Sequence, residues 1–295
     1  MIPGIVEYVS LRVARRFLFS DAFLLRWGRY LPYYRTNANQ ADPKPVCDLY
    51  TEAMKALGLE VSSERTILEV GSGATDAVGV ALLERGLAGE QGRVLLYEPY
   101  VTPIPVPEPA GEAGLRCRID RLTSLRQIAR GSVDLVVSHS VLEHVRDPQS
   151  LMLELGRILA PNGWMIHAVD YRDHFFKYPY HFLFFSRRIW ERWLDPGDLP
   201  RWRLSDHRRL FAGRGFRMQV LRSATLAEEF RCVVKHLAPE FDANDPDIAV
   251  TTAILALERT HLPSQEQVGS LFSAKAYEFE TTADQSEQEM QRKDA

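Results

Sequence analysis

The stretch that most constrains this chain is residues 66–76, TILEVGSGATD, in which an apolar run carrying one acid ends in two glycines, Gly71 and Gly73. A helix-like segment follows at residues 77–85. Buried parallel strands read as short continuous apolar runs. Glycine then permits a sharp turn and leaves no side chain between the backbone and a ligand. The helix start offers unpaired N–H groups to an anionic or polar ligand atom. The pattern predicts a strand, a turn and a helix, with a nucleotide-like group lying over residues 71–75.

A second strand is expected at residues 93–99, and its acid, Glu98, follows Gly71 by 27 residues. A carboxylate at the tip of strand two is placed to accept hydrogen bonds from both ribose hydroxyls of an adenosine group. Residues 132–138 read as a further short strand, followed by His139-Ser140-Val141-Leu142-Glu143-His144-Val145. Next come a helix at 150–159, a turn at Pro161-Asn162-Gly163 and a strand at 164–169. Two more strands are expected at 216–223 and 248–259. Alternating strands and helices predict an α/β fold with a doubly wound, mostly parallel, seven-stranded sheet.

Four segments in order, ILEVGSGATD, LLYEP, DLVVSHSVLEHVRDP and LGRILAPNGWMIHAV, resemble the class I S-adenosylmethionine-dependent methyltransferases. The likeness is to the methyltransferase-11 (UbiE-like) type and covers roughly residues 64–170. It implies a Rossmann-like fold, S-adenosyl-L-methionine as cofactor, and cofactor contacts from Glu69, Gly71, Ser72, Gly73, Glu98, Pro99, Asp120, Ser138 and His139. Thr75 stands where the family's third glycine falls. A nicotinamide-binding domain would want G-x-G-x-x-G, which puts Asp76 at the last glycine. A carboxylate there crowds the helix–strand contact and repels a pyrophosphate. S-adenosylmethionine carries no phosphate.

With 295 residues and 45% hydrophobic content, the chain can hold one large domain, expected at 63–262, plus appendages. A net charge of −3 argues against nucleic acid as a bulk partner. Cys47, Cys117 and Cys232 are scattered without C-x-x-C spacing, so neither a metal site nor a disulfide framework is indicated. A cytoplasmic setting is expected. No apolar run reaches the ~18 residues of a membrane span, and no cleavable signal pattern is expected at the N-terminus.

Residues 1–62 are expected to form an N-terminal helical cap. Residues 1–35 carry six arginines against Glu7 and Asp21, with a helical apolar stripe of Ile5, Val9, Val13, Phe17, Phe19, Phe23, Leu24 and Trp27. Such a helix can cap the pocket and cover the sheet, or lie on an anionic membrane surface. Residues 42–45, DPKP, read as a linker, and 46–57 as a helix. Residues 263–295, rich in Gln, Glu, Ser and Lys, are expected to be a mobile tail.

Residues 171–212 are long for a crossover and are expected to be a substrate lid over the C-terminal edge of the sheet. Their aromatics, from Phe175 and Phe176 to Trp202, alternate with arginines from Arg187 to Arg209. They suit either a pocket for a sugar, an aromatic ring or a phosphorylated carrier, or a small lid core with a solvated face. His174 is the expected general base for a hydroxyl acceptor, with Asp173 or Asp170 to orient it; an anchoring role for His174 stays open. His144 reads as a brace for the helix. The stretches VDYRDHF, LAPEF and DPDIAV resemble methyltransferases of surface-polysaccharide and secondary-metabolite biosynthesis. The resemblance implies O-methylation of a small molecule or glycan. A methyltransferase-like binding module without catalysis, and a protein methyltransferase, remain the alternatives.

Overall fold

The computed structural model describes residues 4–19, 23, 26, 27, 30, 42–60, 62–100, 115, 117–174, 177–195, 197 and 199–259. The expected tail, and Phe175 and Phe176 of the expected lid, lie outside the described residues.

Strand β1 (Thr66–Val70) sits inside a seven-stranded sheet of order β3-β2-β1-β4-β5-β7-β6. Its neighbours are β2 (Arg93–Tyr97) and β4 (Val133–His139), with β3 (Ile119–Leu122) and β5 (Leu159–Asp170) beyond them, all parallel. β7 (Val250–Arg259) runs antiparallel to β5, and β6 (Phe216–Thr225) antiparallel to β7.

The continuous apolar runs follow from burial on both faces. Ile67, Val94 and Leu135 face one core, while Leu68, Leu95 and Val136 face the other, as the two-residue period of a strand requires. Helices α2 (Pro43–Ala56) and α3 (Ala77–Glu84) cover the first face through Val46, Tyr50, Met54, Leu82 and Leu83. Helices α4 (Pro148–Ile158) and α5 (Leu204–Ala212) cover the second through Met152, Leu155, Leu204 and Phe211.

Three expectations are corrected here. Residues 42–45 are not a linker: Asp42 caps α2, accepting from the Lys44 N–H at 3.0 Å, and Pro43 opens the helix where no N–H is needed. Pro161-Asn162-Gly163 is not a separate turn between helix and strand. It falls in an irregular start of β5, where the pairing with β4 shifts register between Val133 and Leu135. The segment 204–212 does not belong to a lid, because α5 packs into the core beneath the sheet.

A third apolar cluster lies under residues 177–203. Tyr178, Tyr180, Phe182 and Trp190 form it with Tyr8 of helix α1 (Ile5–Phe17). Arg201 and Arg203 are buried struts rather than a solvated face. Arg201 donates to the carbonyls of Phe182 and Phe185 at 3.0 and 2.6 Å, and Arg203 to those of Tyr171 and Ile248 at 2.6 and 2.8 Å. Glu7 of α1 accepts from Lys177 at 2.8 Å and from the Tyr178 hydroxyl. One side of α1 is therefore packed against residues 177–203.

Candidate active site

Two glycines in left-handed conformation, Gly71 (φ +77°) and Gly73 (φ +69°), turn the chain between β1 and α3. A Cβ on Gly71 would run into the Val141 side chain, so the segment after β4 presses directly on the turn. That contact and the positive φ, more than ligand clearance, require glycine at this position. The Gly73 N–H donates to Glu98 Oε2 at 3.1 Å, and the Tyr100 N–H to Oε1 at 3.0 Å. Arg121, from edge strand β3, holds the other side. Its Nε donates to Asp76 Oδ1 at 2.5 Å, and its terminal nitrogens reach the Gly73 carbonyl at 3.2 and 3.3 Å. Asp76 therefore faces Arg121, and its side chain does not cap α3.

Inside the turn, two buried polar atoms have no partner: Glu69 Oε2 and Ser72 Oγ. Burial pushes the Glu69 carboxyl up to about 8; the Arg121 charge opposes this, and Asp76 and Glu98 add to it. Buried polar atoms are ordinarily satisfied. A ligand carrying an ammonium group and hydroxyls would supply both with partners. These groups fit S-adenosylmethionine, whose ribose Glu98 would meet and whose other polar groups Glu69 and Ser72 would meet deeper in the turn.

Across the switch in strand order between β1 and β4 lie the ends of β4 and β5, the usual ligand crevice of an open α/β sheet. Ser138 is buried, and its hydroxyl meets His167 Nδ1 at 2.8 Å. His139 stands exposed at the strand tip, its Nδ1 3.3 Å from Ser140 Oγ. Ser140 takes a positive φ of 54°, which aims the following segment back at the glycine turn. The imidazoles of His144 and His174 lie with ring centroids 4.7 Å apart, bringing together the segments after β4 and β5. Beside them Glu143 is buried. Its Oε1 accepts the Asp170 N–H at 3.3 Å, its Oε2 has no partner, and burial pushes its carboxyl up to about 8.

Asp173, the expected orienter of His174, binds α1. It is fully buried, and its two oxygens accept from the Arg12 guanidinium and the Tyr8 hydroxyl of α1. Asp170 is ion-paired with Arg172 at 2.6 Å. Asp120 lies exposed in β3, and its neighbour Arg121 makes the contacts with the turn. Pro99 is exposed just past Glu98. The fold thus gathers Glu69, Gly71, Ser72, Gly73 and Glu98 at the ends of β1 and β2, and His139, His144 and His174 at those of β4 and β5. Arg121 and Glu143 went unmarked in the sequence. An acid inside the apolar run VLEHV was a usable signal for Glu143.

Residues 68–167 match a family model described as "Methyltransferase domain". No curated protein matches the sequence. Among solved structures, the chain is similar to the YcgJ protein from Bacillus subtilis, at 14% identity over 72% of this chain and 99% of that one, with a TM-score of 0.45. It is also similar to Haemonchus contortus phosphoethanolamine N-methyltransferase 2 in complex with S-adenosyl-L-methionine (13% identity, 84% and 59% covered, TM-score 0.45). A third is an arsenic(III) S-adenosylmethionine methyltransferase from Chlamydomonas reinhardtii (18% identity, 70% and 67% covered, TM-score 0.40). The family match covers most of β1, the glycine turn and Glu98 described above, so residues 68–167 carry a methyltransferase domain.

Proposed function

We propose that the protein methylates a hydroxyl of a small molecule or sugar, with His174 as general base. The observation that carries this reading is the His144–His174 pair, two half-buried imidazoles on the segments that follow β4 and β5. A hydroxyl must lose its proton as its oxygen attacks, and an imidazole is the side chain best suited to take that proton near neutral pH. An acceptor that is already a nucleophile would need no such group.

In this reading Glu98 accepts from the ribose hydroxyls, and Glu69 and Ser72 satisfy polar groups of the amino-acid end. Bound S-adenosylmethionine supplies a methyl group on a sulfonium, which leaves as a neutral thioether. The turn and the segments after β4 and β5 fix the acceptor oxygen against that methyl, and positioning of this kind supplies much of the acceleration. His174 holds the proton that the acceptor releases, with His144 fixing its ring. The buried aromatic cluster under residues 177–203 supports the segment that carries His174.

Labelled S-adenosylmethionine incubated with metabolite and glycan fractions identifies the acceptor by mass spectrometry. With that acceptor, His174→Ala should leave cofactor affinity nearly unchanged and lower kcat by about 10²–10⁴-fold, with little change in KM. Unchanged turnover, or label incorporated only into nitrogen or into protein, would overturn the proposal.

A further inference from the structure

A patch on helix α1 and residues 187–194 combines exposed apolar side chains with arginines. The short helical segments Arg187–Ile189 and Trp190–Leu194 bury Trp190 and Leu194 in the third cluster. Beside these, Ile189 and Trp193 are 46% and 48% exposed. Residues four apart share a helical face, so these two stand together, and so do Arg188 and Arg192. The end of α1 joins the same patch. Phe17 is 54% exposed with its ring centroid 6.0 Å from that of Trp193, and Leu18 beside it is 74% exposed.

Single exposed hydrophobics are ordinary, but contiguous ones rimmed by charge mark an interaction surface. Arg187, Arg188, Glu191 and Arg192 line a shallow open hollow, and among the described residues Arg187 alone of the three arginines is ion-paired, with Glu191 at 2.7 Å. The Arg192 guanidinium lies 5.3 Å from the Trp193 ring centroid, so charge and aromatic face are presented as one unit. Among the described residues, no helix is long and apolar enough to cross a membrane.

We propose that this face, Phe17, Leu18, Ile189 and Trp193 with Arg188 and Arg192, docks the protein on an anionic lipid bilayer. Charge complementarity selects that occupant. Arginines at the headgroup level meet lipid phosphates, while tryptophan, phenylalanine and leucine enter the boundary of the acyl chains. Tryptophan in particular favours the membrane–water boundary. The proposal stands apart from the identity of the methyl acceptor.

The test is sedimentation of the full chain with phosphatidylcholine vesicles, with and without phosphatidylglycerol, at low and high salt. The protein should bind the phosphatidylglycerol-containing vesicles, weakly or not at all the others, and less as salt rises. Removing each arginine, Arg188→Gln or Arg192→Gln, should weaken binding about fivefold. The double variant Phe17→Ser/Trp193→Ser should abolish it while S-adenosylmethionine affinity and circular dichroism stay at wild-type values. Binding to neither vesicle, or equal binding to both, overturns the proposal. So does a wild-type dimer that the double variant dissociates, which would assign the face to a second copy of the chain.

Discussion

Replacing Asp173 with alanine should destabilise the protein without touching its chemistry. Asp173 is fully buried, and its partners Arg12 and Tyr8 come from 161 and 165 residues away in sequence. Arg12 is itself buried, with its guanidinium 4.8 Å from the Trp190 ring centroid. Removing one member of a buried ion pair leaves the other uncompensated and typically costs about 3–5 kcal/mol. At about 2–4 °C per kcal/mol for a domain of this size, thermal unfolding should move down by about 10 °C. If α1 undocks before the rest unfolds, the loss is capped by its docking energy, and the amides of residues 5–17 then exchange fastest. Replacing Arg12 and Asp173 together with leucine should recover much of the stability, since an apolar pair leaves no stranded charge. The assay is circular dichroism melting beside methyl-transfer kinetics. An Asp173→Ala protein that melts like wild type yet loses turnover would refute this reasoning and return Asp173 to the base.

Gly71→Val should abolish cofactor binding and also lower the melting temperature, because the new side chain meets Val141 at a backbone of φ +77°; wild-type stability in this variant would contradict the contact. The stability of the cofactor-free protein should fall as pH rises from about 6.5 to 8.5. Glu69 and Glu143 hold their protons up to about 8 in the folded state, against 4.5 when unfolded, so the folded form binds more protons across that window and loses its advantage as they leave. The buried imidazoles His167 and His207, pushed down to about 3 and about 4, favour the unfolded form below about 6.5; there they offset the two carboxyls, so stability stays nearly level from about pH 6.5 to 4.5 and falls only under about 4.5. Chemical denaturation across pH checks both signs, and Glu143→Gln should flatten the alkaline slope.

The strand–turn–helix unit was legible because each part is local: an apolar run, two glycines and an apolar helical continuation lie within 19 residues, 66–84. Glu98 was legible for the same reason, at the end of its own short run. What the sequence concealed depends on distant partners. Asp173 read as an active-site acid because nothing nearby announces Arg12 or Tyr8. Arg201 and Arg203 read as surface charge, since arginine is seldom buried, yet both are buried and donate to backbone carbonyls. β3 carried no apolar run because it is an edge strand, half open to solvent, and its Arg121 was passed over with it. The Pro-Lys-Pro start of α2 imitates a linker because proline is as welcome in a first helical turn as in a loop.

The central claim is that the turn at Gly71–Gly73, with Glu98 at its rim, holds S-adenosylmethionine. Titration calorimetry of S-adenosylmethionine, S-adenosylhomocysteine and NAD into wild type and Glu98→Ala tests it most directly. The account predicts binding of the first two and none of NAD, with a loss of about 1–3 kcal/mol, roughly 5–150-fold, in the variant. Equal affinity in wild type and Glu98→Ala, or binding of NAD in place of S-adenosylmethionine, would contradict it.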